Sequence, residues 1–421
     1  MRMLGPFSIA FMIFCGGHVY VGARMMAYFR LSAPFSLTAI AWLVYTFISF
    51  SYFIGMYLGG SFLGKLCRVI GGYWLIAFIY ILIGFAALDL FSLLMKLKTV
   101  IFRSPAWLAG PGLMKAAGLI VLSCSAVLVI YGSFHAKRII TAEYKVESFR
   151  SVSAQSETCA GVPIWSPDGG LGAGQGAAGA VRIALISDLH IGSSVDAVWL
   201  RQIVDSVNRA KPDLVCVAGD IFDNNLYNIS DLDRYGEILR GISAPLGVYA
   251  VLGNHDVERM PLIPASSGEA PVSRPGMGIR QFLKENGVRL LEDETELIDG
   301  RFYIAGRKDA RPISFVTHSR LTAREVIAGW DKKLPLIMLD HQPTEIDQIA
   351  ATGADLLLCG HTHRGQVFPA KYITGGMFEV DYGYARKGDT HVIVTSGAGL
   401  WGPPVRIGTN SEVVIIDYSW N

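Results

Sequence analysis

The chain is 421 residues long, 51% hydrophobic and only 17% charged, with a formal net charge of +2. Its length points to two or three domains, and a mean hydropathy of +0.38 excludes an ordinary soluble protein and makes membrane spans the natural suspect. The near-neutral charge, with no basic patch interleaved with aromatics, excludes nucleic acid as the principal partner.

The apolar excess is confined to the first third, in Gly5–Ala23, Phe35–Leu58, Gly72–Met95 and Met114–Ser133. About 20 apolar residues cross the hydrocarbon core as a helix, so residues 1–136 read as an all-α transmembrane region of four helices. The competing reading is buried core helices, but helices apolar all round at this length belong in lipid. A cleaved signal peptide would explain Arg2 before the first run, yet not the three spans that follow. Trp42, Tyr45, Tyr52, Tyr57, Tyr73 and Trp74 are candidate interface anchors.

Flanking positive residues divide five (Arg2, Lys65, Arg68, Lys137, Arg138) against six (Arg24, Arg30, Lys96, Lys98, Arg103, Lys115), which sets no orientation. The six cysteines are scattered without a disulfide framework, which leans toward a reducing compartment and a cytoplasmic catalytic domain. Asp89 is the one acidic residue inside a span. Such a residue marks function by default, although its place toward the end of the span lets it reach the interface or pair with Lys96.

From Lys137 the character changes. Thr141–Arg150 alternates as a strand, and Ser151–Ala180 is crowded with Gly, Ala, Ser and Pro, so residues 137–180 read as a strand plus a flexible linker. No Lys-Ser/Thr and no helix start follow the glycines, which argues against a phosphate-binding loop.

Residues 181–421 then alternate strand and helix. Ile183–Ile186 is a buried strand ending in Ser187-Asp188-Leu189-His190, and Val198, Leu200, Ile203, Val204 and Val207 recur at helical spacing. Strand Asp213–Ala218 ends in Gly219-Asp220-Ile221-Phe222-Asp223, which completes a βαβ unit. Leu232–Ile242 is helical, and strand Val248–Leu252 ends in Gly253-Asn254-His255-Asp256. Val257–Gly276 reads as an inserted loop, Gln281–Asn286 closes a helix, and the segments around Leu290 and Phe302–Ala305 look like antiparallel strands joined through Asp299-Gly300. Strand Leu334–Leu339 precedes Asp340-His341-Gln342-Pro343, and Thr344–Ala351 is a helix. Strand Asp355–Cys359 precedes Gly360-His361-Thr362-His363, and strands Val392–Thr395 and Val413–Ile416 flank a Gly-rich turn, Ser396–Gly402.

Singly, each polar cluster has a bland reading. Gly-Asp after a strand is commonly a tight turn, and a lone His341 is more often structural than a ligand. Together they do not, because five of the nine histidines (His190, His255, His341, His361, His363) each follow an apolar strand. In open α/β sheets that edge is where chemistry is done. Carboxylate and imidazole donors with one amide oxygen suit two transition-metal ions such as manganese, iron or zinc. Such ions, about 3.5–4 Å apart, clamp the oxygens of an in-line displacement at phosphorus.

Asp188-x-His190, Gly219-Asp220-x-x-Asp223, Gly253-Asn254-His255-Asp256, His341 and Gly360-His361-x-His363 resemble the ordered motif set of the calcineurin-like metallophosphoesterases, over residues 181–418. His341-Gln342-Pro343, Gly365-Gln366 and the tail from Ser396 to Val413 resemble the bacterial YkuE/YaeI-like branch. Some of that branch act on lipid-linked substrates, including enzymes that hydrolyse UDP-2,3-diacylglucosamine. The resemblance implies that Asp188, His190, Asp220 and His363 bind one metal and that Asp220, Asn254, His341 and His361 bind the other, with Asp220 and a hydroxide bridging. It places His255 beside the scissile phosphate and has Asp256 orient it, with Asp223 further out. The chain departs where the branch usually has Gly-Gly, carrying Arg364-Gly365. Arg364 either binds a substrate phosphate or points into solvent, and Asn224 is the other candidate substrate contact.

The expected fold is thus α/β, a four-layer αββα sandwich preceded by the four transmembrane helices, in a multi-pass protein of the bacterial inner membrane. The expected function is metal-dependent phosphoester hydrolysis by a bridging hydroxide, on a phosphoester substrate at or near membrane lipid. Two rivals stay open: a phosphodiesterase or phosphatase of soluble substrates that uses the membrane as an anchor, and a non-catalytic membrane scaffold or sensor. The intact ligand set argues against the second.

Overall fold

A computed structural model describes residues 4–29, 34–58, 61–102, 111–148, 179–192, 194–223, 226, 229, 231–256, 278–310 and 320–421. The expected linker up to residue 178, the 257–276 insertion and Asn224 lie outside the described residues. The chain divides into two compact units, one of residues Met1–Ala136 with Gly402–Ile407, the other of Lys137–Trp401 with Gly408–Asn421.

The first unit holds four helices, α1 (Leu4–Phe29), α2 (Phe35–Tyr57), α3 (Phe62–Phe102) and α4 (Pro111–Ala136). Among the described residues, Phe35–Tyr57, Phe62–Lys98 and Gly112–Ala136 are long and apolar enough to cross a membrane. Their surfaces show why: Phe35, Leu43, Leu93, Val100 and Ile120 stand more than half exposed, which only a lipid solvent tolerates in such number. The chain is a membrane protein. Val21, Tyr28, Phe78, Ile81 and Phe85 form the small core of this unit.

Asp89 does not pair with Lys96 as the sequence allowed. Its carboxylate meets Arg24 Nε at 2.7 Å and accepts from the hydroxyls of Tyr20 and Tyr28 at 2.5 Å each, joining α3 to α1. A chain-separated partner 65 residues away was nearer in space than the one on the same helix. Asp89→Ala should weaken this helix contact by about 1 kcal/mol. A lower melting temperature of the detergent-solubilised protein is the expected reading; an unchanged one would show the cluster to be energetically idle.

The second unit is the four-layer sandwich. In chain order it contains β1 (Ile139–Ser148), β2 (Gly179–Ile186), α5 (Ala197–Arg209), β3 (Leu214–Ala218), α6 (Leu232–Arg240), β4 (Val248–Val251), α7 (Ile279–Glu285), β5 (Val288–Leu290), β6 (Glu294–Ile298) and β7 (Phe302–Gly306). It continues with α8 (Ala323–Val326), β8 (Leu336–Leu339), α9 (Ile346–Ala350), β9 (Leu356–Cys359), a 3-10 turn (His363–Gly365), α10 (Lys371–Met377), β10 (Gly383–Lys387), β11 (Thr390–Val394) and β12 (Ser411–Trp420).

Two six-stranded sheets result, ordered β1-β12-β2-β3-β4-β5 and β10-β11-β9-β8-β7-β6. Strands β2 to β5 are parallel in the first, and β11, β9, β8 and β7 are parallel in the second. Pleating sorts each strand's side chains by alternation. Ile183 and Leu185 face inward to Leu356 and Leu358 of the opposite sheet, in one core with Ile304, Ile337 and Ile393. Leu357 and Cys359 face outward instead, and pack with Val326, Trp330, Ile346 and Ile349 around α8 and α9. On α5, Trp199, Leu200, Ile203, Val204 and Val207 form the buried stripe that the helical spacing predicts, and the Asp196 side chain caps its start by accepting from Trp199 N–H at 2.8 Å.

One expected pairing is corrected. Val288–Leu290 runs parallel to β4 in the first sheet, and the hairpin partner of β7 is Glu294–Ile298. The turn at Asp299-Gly300 is where the sequence put it, but strand β6, with only Ile298 of its five residues buried, offered little apolar pattern to read.

Candidate metal centre

Every polar cluster falls in the loop just beyond the C-terminal end of a parallel strand. Asp188 and His190 follow β2, Asp220 follows β3, Asn254 and His255 follow β4, His341 follows β8, and His361 and His363 follow β9. Because both sheets present that end to one place, residues 175 positions apart meet.

The backbone there is bent in an unusual way. Asp188 (φ 55°), His190 (φ 46°), Asp220 (φ 50°), His361 (φ 74°) and His363 (φ 48°) all adopt the left-handed region. Each costs of order 1–2 kcal/mol for a residue with a Cβ, and such strain gathers where surroundings over-determine it for function. Gly219 (φ 84°) shows how tight the cradle is, since a Cβ there would stand 2.6 Å from His341 Nδ1 and 2.9 Å from Gly253 N.

Two ligand groups converge, Asp188 with His190 and His363, and Asp220 with His341 and His361. His190 Nε2 lies 3.2 Å from His363 Nε2, which lies 3.3 Å from Asp188 Oδ1. In the second group His341 Nε2 lies 3.2 Å from His361 Nδ1, 3.1 Å from Asn254 Oδ1 and 3.2 Å from Asp220 Oδ2. Lone-pair donors so close repel unless a proton or a cation sits among them, and donors bound at about 2.1 Å to one ion stand roughly 3 Å apart. The donor set therefore fits divalent metal. His341 is held for the task, because its Nδ1–H donates to the Ala218 carbonyl at 2.7 Å and turns Nε2 inward.

The charges bear this out. Burial alone would lower His341, but the charge and hydrogen bond of Asp220, then the charge of Asp188, push it well above its ordinary 6.5. His190 is raised too, with burial again opposing and Asp223 and Asp220 prevailing. Burial raises the Asp188 carboxyl, partly countered by the His341 charge. Asp220 goes the other way: burial opposes, but His341 and His190 hold its carboxyl far below the carboxylate range.

His255 is 20% exposed at the rim, and its Nδ1–H donates to Asp223 at 2.9 Å. Asp256, expected to orient His255, does not touch the ring. Its carboxylate accepts from the N–H groups of Gly253, Ile221 and Phe222 at 2.9, 3.1 and 2.7 Å. The reason is local: a bend at Asn254-His255 folds the carboxylate back under its own loop and onto the next one, leaving Asp223 as the carboxylate within reach of the imidazole. His190, Asp223 and His255 also form a third group able to hold a cation. Asp223→Asn should lower hydrolysis about 10- to 100-fold. Initial rates alongside metal content check this, and a rate unchanged at full metal content would remove Asp223 from the mechanism.

A cavity of about 280 Å³ opens over the ligands, lined by Asp220, Asn254, His255, His361, Thr362, His363, Gly365, Gln366 and Trp401. Arg364 is not in that lining. Its guanidinium rests over the Tyr382 ring at 4.0 Å from the centroid.

Behind His341 sits a charge cluster that the motifs did not reveal. Asp340, fully buried, accepts from Arg307 at 3.1 Å and Arg320 at 2.5 Å, while Arg307 also meets Glu345 at 2.9 Å. Burial pushes the Asp340 carboxyl up to about 6 against the pull of both guanidiniums. A signal existed: Asp340 stands directly before a ligand at a strand end, where an unpaired acid would be costly.

Comparison with known proteins agrees with this site. Residues 181–365 match the family model described as calcineurin-like phosphoesterase. An uncharacterized metallophosphoesterase of Aquifex aeolicus is 31% identical over 241 residues, covering 56% of this chain and 84% of that protein. A zebrafish transmembrane protein with metallophosphoesterase domain is 31% identical over 247 residues, 56% of this chain and 52% of its own length. The metallophosphoesterase YkuE of Bacillus subtilis is 29% identical, covering 56% and 77%. The chain thus spans most of the Aquifex and Bacillus relatives but about half of the zebrafish one. With two facing sheets, ligands at their shared edge and these relatives, the chain belongs to the calcineurin-like metallophosphoesterases, as a metal-dependent phosphoester hydrolase.

Proposed function

We propose that this protein hydrolyses a phosphoester at or near a bilayer surface, using two divalent ions held at the shared sheet edge. The observation that carries the reading is the pair of His/Asp groups, Asp188-His190-His363 and Asp220-His341-His361, with Asp220 facing both. One ion would be held by Asp188, His190, Asp220 and His363, the other by Asp220, Asn254, His341 and His361. Manganese, iron or zinc, when bound, supplies a nucleophile from water and neutralises charge on the phosphoryl oxygens. His255, steadied by Asp223, stands where it can give a proton to the leaving oxygen as the ester bond breaks. The apolar helices support a lipid-linked phosphoester as substrate, because they keep the chain in the same bilayer as such a lipid.

The test is hydrolysis of p-nitrophenyl phosphate and bis-p-nitrophenyl phosphate by the detergent-solubilised protein, with manganese and after chelation. Turnover that disappears with chelator and returns with metal supports the reading. Absence of turnover with two ions bound would sink it in favour of a metal-binding scaffold.

A linked expectation concerns protons. In the metal-free protein the Asp220 and Asp188 charges push His341 well above its ordinary 6.5, and an ion bound at its Nε2 competes with that proton. Metal affinity should therefore rise with pH through neutrality. Calorimetric titration with manganese in buffers of different ionisation enthalpy should show net proton release.

A further inference from the structure

Trp401 lies in the tail after Ser396 and is none of the expected ligand or substrate residues, yet it forms one wall of the metal cavity while half of its surface (50%) is open. An indole that exposed is normally left loose. Here its backbone is gripped from both sides by one side chain: Gln366 Nε2 donates to Trp401 O at 2.8 Å, and Trp401 N–H donates to Gln366 Oε1 at 3.0 Å. Gln366 is itself buried, at φ 52°, one residue past the turn that carries His363. The indole is thereby fixed to the same piece of backbone as a metal ligand. Its ring meets that of His255 at a centroid distance of 6.4 Å and an angle of 66°.

The cavity thus has a floor of carboxylate and imidazole and one large apolar wall, placed beside His255, which among the described lining residues is the one outside both ligand groups suited to protonating a leaving oxygen. Whatever that oxygen carries must lie on the His255 side, and Trp401 is the surface it meets there. A polyol or a second phosphate, with little apolar surface, gains less from an indole face than an aryl or hydrocarbon group, which gains by leaving water and, if planar, by stacking.

We infer that Trp401 is a substrate-contacting residue that selects the leaving group, favouring phosphoesters whose leaving oxygen carries an apolar or planar group laid against the indole. The inference rests on the hydrolase reading above, with His255 at the leaving oxygen. Gln366 is the positioning residue that holds the platform. An aromatic alcohol and a lipid-like alcohol share this chemistry, and the substrates chosen separate them.

The experiment uses the full chain in detergent, loaded with manganese, on p-nitrophenyl, hexyl and glyceryl phosphates, each as the monoester and as its methyl diester. Wild type is compared with Trp401→Ala, Trp401→Phe and Gln366→Ala, following release of the alcohol or phosphate. Trp401→Ala is expected to raise KM about tenfold for the apolar leaving groups, in keeping with loss of one aromatic contact, with kcat and the glyceryl ester changed less than about twofold. Trp401→Phe should recover most of the loss, and Gln366→Ala should show a smaller loss with the same selectivity. Loss confined to p-nitrophenyl esters supports a planar group on the indole; loss confined to hexyl esters supports a hydrocarbon chain. Equal loss on all three leaving groups, or none, would overturn the inference while the hydrolase reading stands. A wild type inert on every ester at full metal content would overturn that reading itself, and this inference with it.

Discussion

Asp220→Ala is expected to leave the protein unable to hold two ions and to lower phosphoester hydrolysis on the order of a thousandfold, the scale of several kcal/mol that ion-borne charge stabilisation supplies. One carboxylate does several things at once. Its Oδ2 lies 3.2 Å from His341 Nε2 and 3.8 Å from His190 Nε2, so it faces both ligand groups. Its Oδ1 accepts from His255 N–H at 2.8 Å and fixes the loop that carries the rim histidine. Burial works against its charge, but the His341 and His190 charges outweigh burial and keep it ionised well below neutral pH. Asp220→Asn retains the shape and one acceptor without the charge, and should bind metal more weakly than wild type while still ordering the His255 loop. Metal content by atomic emission, read beside the rates, is the check. Two ions per chain and a wild-type rate in Asp220→Ala would remove this residue from the centre.

Asp256→Ala is expected to cost about 3 kcal/mol of stability, because three buried N–H donors lose their acceptor at once. Gly253, Ile221 and Phe222 lie in the two loops that carry Asn254, His255 and Asp220, so the same change should loosen metal binding without removing a ligand. The pH dependence has a definite sign. Burial, with the Asp220 charge beside it, pushes the Asp256 carboxyl up to about 7, against the pull of its backbone donors. The folded state then holds a proton that the unfolded state gives up near pH 4. Stability from this group is present below that value and is lost as pH rises through about 7. His341, raised for its own reasons, contributes with the same sign. Metal-free protein should accordingly unfold at lower urea concentration at pH 8 than at pH 5.5, and Asp256→Ala should flatten that difference. A steeper dependence in the variant would contradict the assignment.

Much of the sandwich could be read from the chain because its strands are short apolar runs with a polar cluster after each. Leu214–Ala218, Val248–Val251, Leu336–Leu339 and Leu356–Cys359 are buried at every position, and such runs need no partner to be recognised. The ligand loops announce themselves because imidazole and carboxylate are poor company for a buried strand end unless something binds them. What escaped was set by contacts distant in sequence. Arg24 looked like a flanking positive charge until α1 packed against α3 and brought it to Asp89. Asp256 and Asp223 are equally plausible partners for His255 on spacing alone, and only the bend of the loop decides between them. Trp401 and Gln366 fall in segments that the resemblance singled out, but they lie 35 residues apart, so nothing local marks their clamp. Helix α10 was missed for another reason: none of its residues is buried, and two adjacent glycines dilute any helical signal.

The position of β12 has a consequence for how the protein is made. This strand lies inside its sheet, antiparallel to β2 on one side and parallel to β1 on the other, in a ladder that runs from Ile139 against Ser411 to Ser148 against Trp420. The first sheet therefore cannot close until Trp420 has left the ribosome, although β1 emerges directly behind the last helix. Throughout synthesis of the intervening residues, Ile139–Ser148 and the edge of β2 lack their partner strand, a template for wrong partners. Folding of the first sheet therefore waits on residues made about 270 positions after β1, because β12 is the strand that joins β1 to β2.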